Sequence, residues 1–172
     1  YKKNSCMKIL STDIFMFKIP MTPFTIATGT MEYAQNIVIK IHTDEGIIGW
    51  GECSAFPMIV GETQLSCYQI AKDFASFWKG KNPLAISERL QELDSIIAGN
   101  YTAKSAFDLA LYDIAAKAAN QPLYAFLGGK SIPIETDLTI GIDTPENMAK
   151  DAIDFVQQGV NIIKVKLGKD PE

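Results

Sequence analysis

The sequence predicts two successive architectures: an α+β region to about residue 129, then the opening of an α/β domain with a parallel sheet. Three observations predict this. Residues 8–52 are rich in β-branched and apolar residues broken by a tight turn. From residue 61 the apolar period changes to 3.6 residues. Residues 135–167 then read strand, helix, strand with short links, and a βαβ unit implies parallel strands.

Each element has a local cause. Residues 8–20 form a strand of mixed periodicity through Ile9, Ile14, Phe15, Phe17 and Ile19. Residues 21–31, with several threonines, Pro23 and Gly29, predict a loop. Residues 36–43 (NIVIKIHT) predict a second strand and residues 47–52 a third. Asp44-Glu45-Gly46 is the turn between them, Gly46 being free to take a positive φ. The three make an antiparallel meander. Leu65, Tyr68, Ile70, Ala71, Phe74, Phe77 and Trp78 then trace an amphipathic helix. Asn82 predicts a cap and Pro83 the first position of the next helix, which Gly99-Asn100 stop. Thr102 is the expected cap of a third helix, residues 103–120. Its small and apolar residues are so dense that it must be buried on most sides. Pro122 opens a short helix ending at Gly128-Gly129. Residues 135–140 predict a strand. Thr144-Pro145 caps a helix that Gly159 stops, and residues 161–167 predict the last strand.

Composition narrows the function classes. Of 172 residues, 47% are hydrophobic and 21% charged, enough for a real core. A net charge of -4 leaves no electrostatic footprint for nucleic acid. No Lys/Arg cluster argues for an anionic membrane. Cys6, Cys53 and Cys67 form no CxxC pair, and His42 is the single histidine. That excludes a disulfide framework or a Cys/His zinc site and fits a reducing cytoplasm. No stretch has the apolar length of a membrane span, and Lys8, Asp13 and Lys18 interrupt any signal-peptide core. The first residue is Tyr1; Met7 reads as the initiator, and residues 1–6 are left out of the fold argument.

The most informative local feature is Lys164-Val165-Lys166. Strand alternation puts Ile163, Val165 and Leu167 on one face and the two lysines together on the other. Parallel strands are normally covered on both faces, so two adjacent ammonium groups there are costly unless something anionic lies opposite. A neighbouring cation and partial burial are also what turn a lysine into a general base near neutral pH. The alternative is an edge strand with two solvated lysines, since lysine strongly prefers the surface.

The segments AFDLALYDIAAKAANQPLYAFLGG, GIIGWGE and KVKLG resemble the muconate-lactonizing and mandelate-racemase branch of the enolase superfamily. AFDLALYDIAAKAANQPLYAFLGG (106–129) resembles its signature helix and turn. GIIGWGE (46–52) resembles the third strand of its capping domain, and KVKLG (164–168) its second barrel strand, where a KxK pair supplies a catalytic base. Within the branch, TDLTIGIDTPENMAKDA (136–152) and GNYTAKSAFDLALYD (99–113) are most similar to the dipeptide epimerases. The resemblance implies an enolase-type α+β capping domain over residues 7–129. The first β/α units of a truncated (β/α)8 TIM-type barrel would follow over residues 130–172. The ligands of a catalytic Mg²⁺, the opposing lysine and the acidic motif for the substrate ammonium are then expected beyond Glu172.

The activity implied is a Mg²⁺-assisted 1,1-proton transfer α to a carboxylate, in which the metal stabilises the enediolate. Lys166 would be the base on one face and Lys164 would lie near the substrate carboxylate. Thr139, at the end of the first barrel strand, would contact substrate, although threonine is also simply common in strands. Residues 21–31 match a mobile loop that closes over the site. Phe24 and Ile26 would line the side-chain pocket, or equally pack against the cap. Epimerases acting on Ala-Glu commonly carry an arginine in that loop. Gly29 stands there in this chain, and the loop holds no Lys or Arg. An Ala-X dipeptide with a small or apolar X is therefore expected, because a buried carboxylate without a cation is costly. Alternatives are an o-succinylbenzoate synthase, a muconate cycloisomerase, or a non-catalytic α+β domain. The expected partner is a small dipeptide, with no nucleic acid or membrane, in a homo-oligomer when full length. The 172-residue chain alone is expected to be inactive. His42, Trp50, Glu52, Asp108 and Asp113 read as structural, since Asp108 and Asp113 at i, i+5 do not share a helix face.

Overall fold

The computed structural model describes residues 6–168. The reading of residues 1–6 as outside the fold therefore falls, Cys6 apart, outside the described residues. The elements run β1 (Ile9–Ile26), β2 (Gly29–Thr43), β3 (Ile48–Ala55), α1 (Pro57–Val60), α2 (Gln64–Trp78), α3 (Ile86–Ile96), α4 (Tyr101–Ala118), α5 (Leu123–Phe126), β4 (Leu138–Ile140), α6 (Pro145–Gln157) and β5 (Ile163–Val165). They divide into two compact units. One holds the residues up to Ile19 together with Gln35–Ser131; the other holds Pro20–Ala34 together with the residues from Ile132 onward.

The first unit is α+β. Its sheet has the order β1-β2-β3, and β2 pairs antiparallel with β3 from Gln35↔Ala55 to His42↔Ile48. The expected turn is present, with Gly46 at φ 78°. Alternation puts Ile37, Ile39 and Ile41 of β2 inward, all essentially inaccessible to solvent. The inward positions of β3 are Gly49, Gly51, Cys53 and Ala55. These are small because α4 lies directly on them. A Cβ added at Gly51 would collide with the Ala106 carbonyl, and one at Gly49 with the Ala110 carbonyl and the Ile114 side chain. Ala103, Ala106 and Ala110 of α4 are buried in the same way. Sheet and helix therefore meet almost backbone to backbone. Phe107, also on α4, packs edge-on against Phe74 and Trp78 of α2, with ring centroids 5.4 and 5.1 Å away.

Several polar groups of this unit find partners on neighbouring elements. Asp113 of α4 accepts the Trp50 N–H at 2.8 Å and Lys117 Nζ at 2.6 Å, and Lys117 also donates to the Ile48 carbonyl. These two side chains satisfy two backbone groups on the free edge of β3, the Trp50 N–H and the Ile48 carbonyl. His42 Nε2 lies 2.8 Å from Asp13 Oδ2, and Glu52 accepts from Asn36 Nδ2.

The structure corrects the reading of several elements. Residues 21–31 are strand apart from the turn at Ala27-Thr28; residues 18–23 are all exposed, so no apolar alternation marked them. Helix α3 starts at Ile86, not Pro83. Asn82 Oδ1 accepts the Leu84 N–H at 2.9 Å, a local turn that competes with the helical start. Helix α4 starts at Tyr101, its N-cap being Asn100 at φ 54°, so Thr102 sits in the first turn. The N–H groups of Thr102 and Ala103 donate instead to the Glu62 carboxylate, at 3.2 and 3.4 Å. Finally, β4 and β5 are shorter than 135–140 and 161–167, each having a single strand to pair with among the described residues.

The second unit contains the tip of the β1–β2 hairpin and the β4-α6-β5 segment. Thr144 Oγ1 accepts the Asn147 N–H to cap α6, as expected, and Gly159 at φ 86° ends the turn after it. Strands β4 and β5 pair in parallel. Among the described residues, no helix is long and apolar enough to cross a membrane.

Candidate functional site

The residues singled out in the sequence fall in the second unit. The register of β4 and β5 is Leu138↔Ile163, Thr139↔Lys164 and Ile140↔Val165. Paired residues of a parallel ladder point to the same face, so Thr139 and Lys164 stand side by side. The ladder runs one step further, because the Lys166 N–H donates to the Ile140 carbonyl at 3.1 Å. Two residues beyond Lys164, Lys166 returns to the same face. Ile140 faces the other way and is buried.

A hydroxyl and two ammonium groups thus share one side of the parallel pair. Lys164 is exposed and Lys166 half-buried. Among the described residues neither ammonium has a carboxylate in ion-pair range, whereas Lys81, Lys104 and Lys117 of the first unit are each paired. Such a face can hold an anion, and its half-buried amine can accept or donate a proton.

The hairpin tip bounds this face at one end. Phe24, Thr25 and Ile26 are half-buried, in contrast to the exposed stretch before them. The Thr25 carbonyl accepts the Ile142 N–H at 3.0 Å. Gly141 lies two residues past Thr139, and a Cβ on it would stand 3.3 Å from Thr25 N, 3.4 Å from Thr25 O and 3.5 Å from the Phe24 ring. Thr25 and Thr30 join their hydroxyls across the hairpin at 2.9 Å. Pro23, Thr25, Gly141, Ile142, Asp143 and Asp151 line a small polar cleft of about 210 Å³ beside this contact. Phe24 is therefore brought to the strand end that carries Thr139, and the pairing of Thr139 with Lys164 extends the group. Ile26 is half-buried at the end of β1, in the same tip.

Sequence reasoning missed Gly141 and the backbone of Thr25. The available signal was a glycine continuing a strand pattern, which marks close approach of another backbone. Among the described residues, no three His, Cys, Asp or Glu side chains converge to hold a metal ion. They do not by themselves fit a Mg²⁺ site.

The N-terminal domain of mandelate racemase / muconate lactonizing enzyme matches residues 10–128, from β1 to the turn after α5. The chain belongs to that family. The first unit is accordingly the family's α+β capping fold. Family relatives include D-Ala-D/L-Ala epimerase from Cytophaga hutchinsonii, 42% identical over 168 residues that cover 95% of this chain and 46% of that protein. Hydrophobic dipeptide epimerase from Enterococcus faecalis is 37% identical over 163 residues, covering 94% of this chain and 46% of its own length. A crystal structure of the dipeptide epimerase from Cytophaga hutchinsonii, complexed with Mg and the dipeptide D-Ala-L-Val, superposes with a TM-score of 0.92. It is 41% identical, over 95% of this chain and 45% of that one. The chain spans about half the length of the curated family members it matches.

Proposed function

We propose that the protein is a dipeptide epimerase inverting the carbon α to a carboxylate, with residues 7–129 as its cap and 130–172 as the opening strands of its barrel. The observation that carries this reading is the shared face of Thr139, Lys164 and Lys166 at the end of a parallel strand pair. Barrel enzymes gather their chemistry at such strand ends. The names of the two epimerases above support the same reaction class.

The α proton is very weakly acidic, so its removal needs a base already in place and positive charge near the carboxylate. In this reading the Lys166 side-chain amine takes the proton from one face. The bonding pair left on carbon delocalises into the carboxylate. Lys164 lies near that carboxylate and offsets its charge, while the Thr139 hydroxyl donates to it. A proton returned from the opposite face completes the inversion. In full-length protein, Lys166→Ala lowers epimerisation by at least ~10²–10⁴-fold while dipeptide binding persists. Epimerisation rates and α-proton exchange in D₂O check this; exchange retained from both faces overturns the role of Lys166.

Phe24 and Ile26 supply an apolar wall, and the substrate is a dipeptide whose second residue is small or apolar. The hairpin tip from Pro20 to Ala34 contains no Lys or Arg to pair with a glutamate side chain. Gly29 has φ 151°, a backbone conformation that an arginine at this position would not readily adopt. Kinetics on Ala-Val and Ala-Glu test the preference. Ala-Val is turned over with the higher kcat/KM, by an order of magnitude or more if a carboxylate would be buried unpaired. A strong preference for Ala-Glu refutes the assignment.

A further inference from the structure

We propose that Gly141 is the seat of the β1–β2 hairpin tip and so a positioning residue for the wall of the substrate pocket. The inference rests on the epimerase reading for its catalytic consequence, but not for its structural content. Gly141 does not need to be glycine for its own backbone, since it is absent from the positive-φ positions. Its missing side chain is accounted for by what lies above it. A Cβ there would stand 3.3 Å from Thr25 N, tighter than an ordinary contact, and would touch Thr25 O and the Phe24 ring at 3.4 and 3.5 Å. The adjacent Ile142 N–H holds the Thr25 carbonyl at 3.0 Å.

Glycine and hydrogen bond act as one device. The bond fixes the tip along the strand end, and the absent methyl lets it approach closely enough for that bond to form. The Thr25–Thr30 hydroxyl contact passes the constraint to the other arm of the hairpin. The tip then holds Phe24 at a set distance from Thr139, two residues before the seat. A methyl at position 141 must displace the Thr25 backbone by a few tenths of an ångström, because a main chain cannot rotate aside as a flexible side chain can. Two branch methyls displace it further. The size of residue 141 thus sets how tightly the apolar wall closes on the substrate's second side chain.

The test uses two readouts. In the full-length protein, native-state hydrogen exchange is measured for Gly141→Ala and Gly141→Val. The Ile142 amide exchanges about tenfold faster in Gly141→Ala, as expected for losing most of one hydrogen bond, and faster still in Gly141→Val. The Leu138, Lys166 and Ile39 amides keep their rates. An unchanged Ile142 amide overturns the proposal, and so does an equal rise across all four amides, which would show general loosening. In the full-length protein, Gly141→Ala raises KM for Ala-Val on the order of tenfold with kcat little changed. A fall in kcat at constant KM overturns the positioning role. If the wild-type full-length protein turns over no dipeptide, the epimerase reading fails, yet the Ile142 amide still decides whether Gly141 seats the hairpin.

Discussion

Asp108 shows how a single residue of α4 limits the stability of the first unit. One of its carboxyl oxygens is buried and has no hydrogen-bond partner among the described residues, and burial raises its pKa above the ordinary carboxylate value. An acid whose pKa is higher folded than unfolded opposes folding once it is ionised. The penalty is present at neutral pH and disappears as pH falls through the raised value toward the unfolded one. Asp108→Asn therefore raises Tm at pH 7, and the gain shrinks to nothing in acid below the usual carboxylate range. Thermal melts across pH check this, and a gain that persists in strong acid would contradict it. The cysteines show the same effect of burial without such a cost. Burial first, then neighbouring groups, pushes the Cys53 thiol up to about 12 and the Cys67 thiol up to about 11, so both stay protonated core atoms. At this scale the sequence was readable where alternation fixes a direction, as it does for Ile37, Ile39 and Ile41 of β2. It was silent on the oxygen of Asp108, because only the packed structure shows which polar atom lacks a partner.

Among the elements, α4 and β3 define the cap. Gly51→Ala puts a methyl against the Ala106 carbonyl and costs about 1–3 kcal/mol or more, as overpacking does. Urea unfolding of the 172-residue chain measures it; a midpoint equal to wild type would show that the layers can separate freely. The burial of α4 was legible in its run of alanines. What the alanines face was not, since nothing local says that Gly49 and Gly51 are paired with Ala110 and Ala106. The start of α4 was misplaced for a similar reason: the carboxylate that accepts its first N–H groups, on Glu62, lies 40 residues before Thr102 in sequence. The hairpin tip was read as a loop because its strands expose most of their side chains. Strand existence survives such exposure when the backbone pairs, but the apolar pattern does not. The pairing of Thr139 with Lys164 was likewise hidden, since a parallel register is set across an intervening helix rather than by a turn.

At the scale of the whole chain the two units differ in what protects them. The first buries a continuous apolar core beneath a three-stranded sheet. The second has two short parallel strands, with Val165 and Leu167 49% and 79% exposed. A two-stranded sheet is marginal in water on its own. In the 172-residue chain, the Leu138 and Lys166 amides exchange on the order of a hundredfold or more faster than those of Ile39 and Ile41. Hydrogen exchange resolved by residue decides it, and uniform protection across both units would show a single cooperative body. The contact between β3 and α4 has a genetic corollary. The obstacle to a side chain at position 51 is the carbonyl of residue 106, a group that every amino acid carries. A suppressor search starting from Gly51→Ala can exchange Ala106 for any other residue and leave that carbonyl where it stands. Relief has to come from moving the helix itself, so reversion to glycine is the short route back.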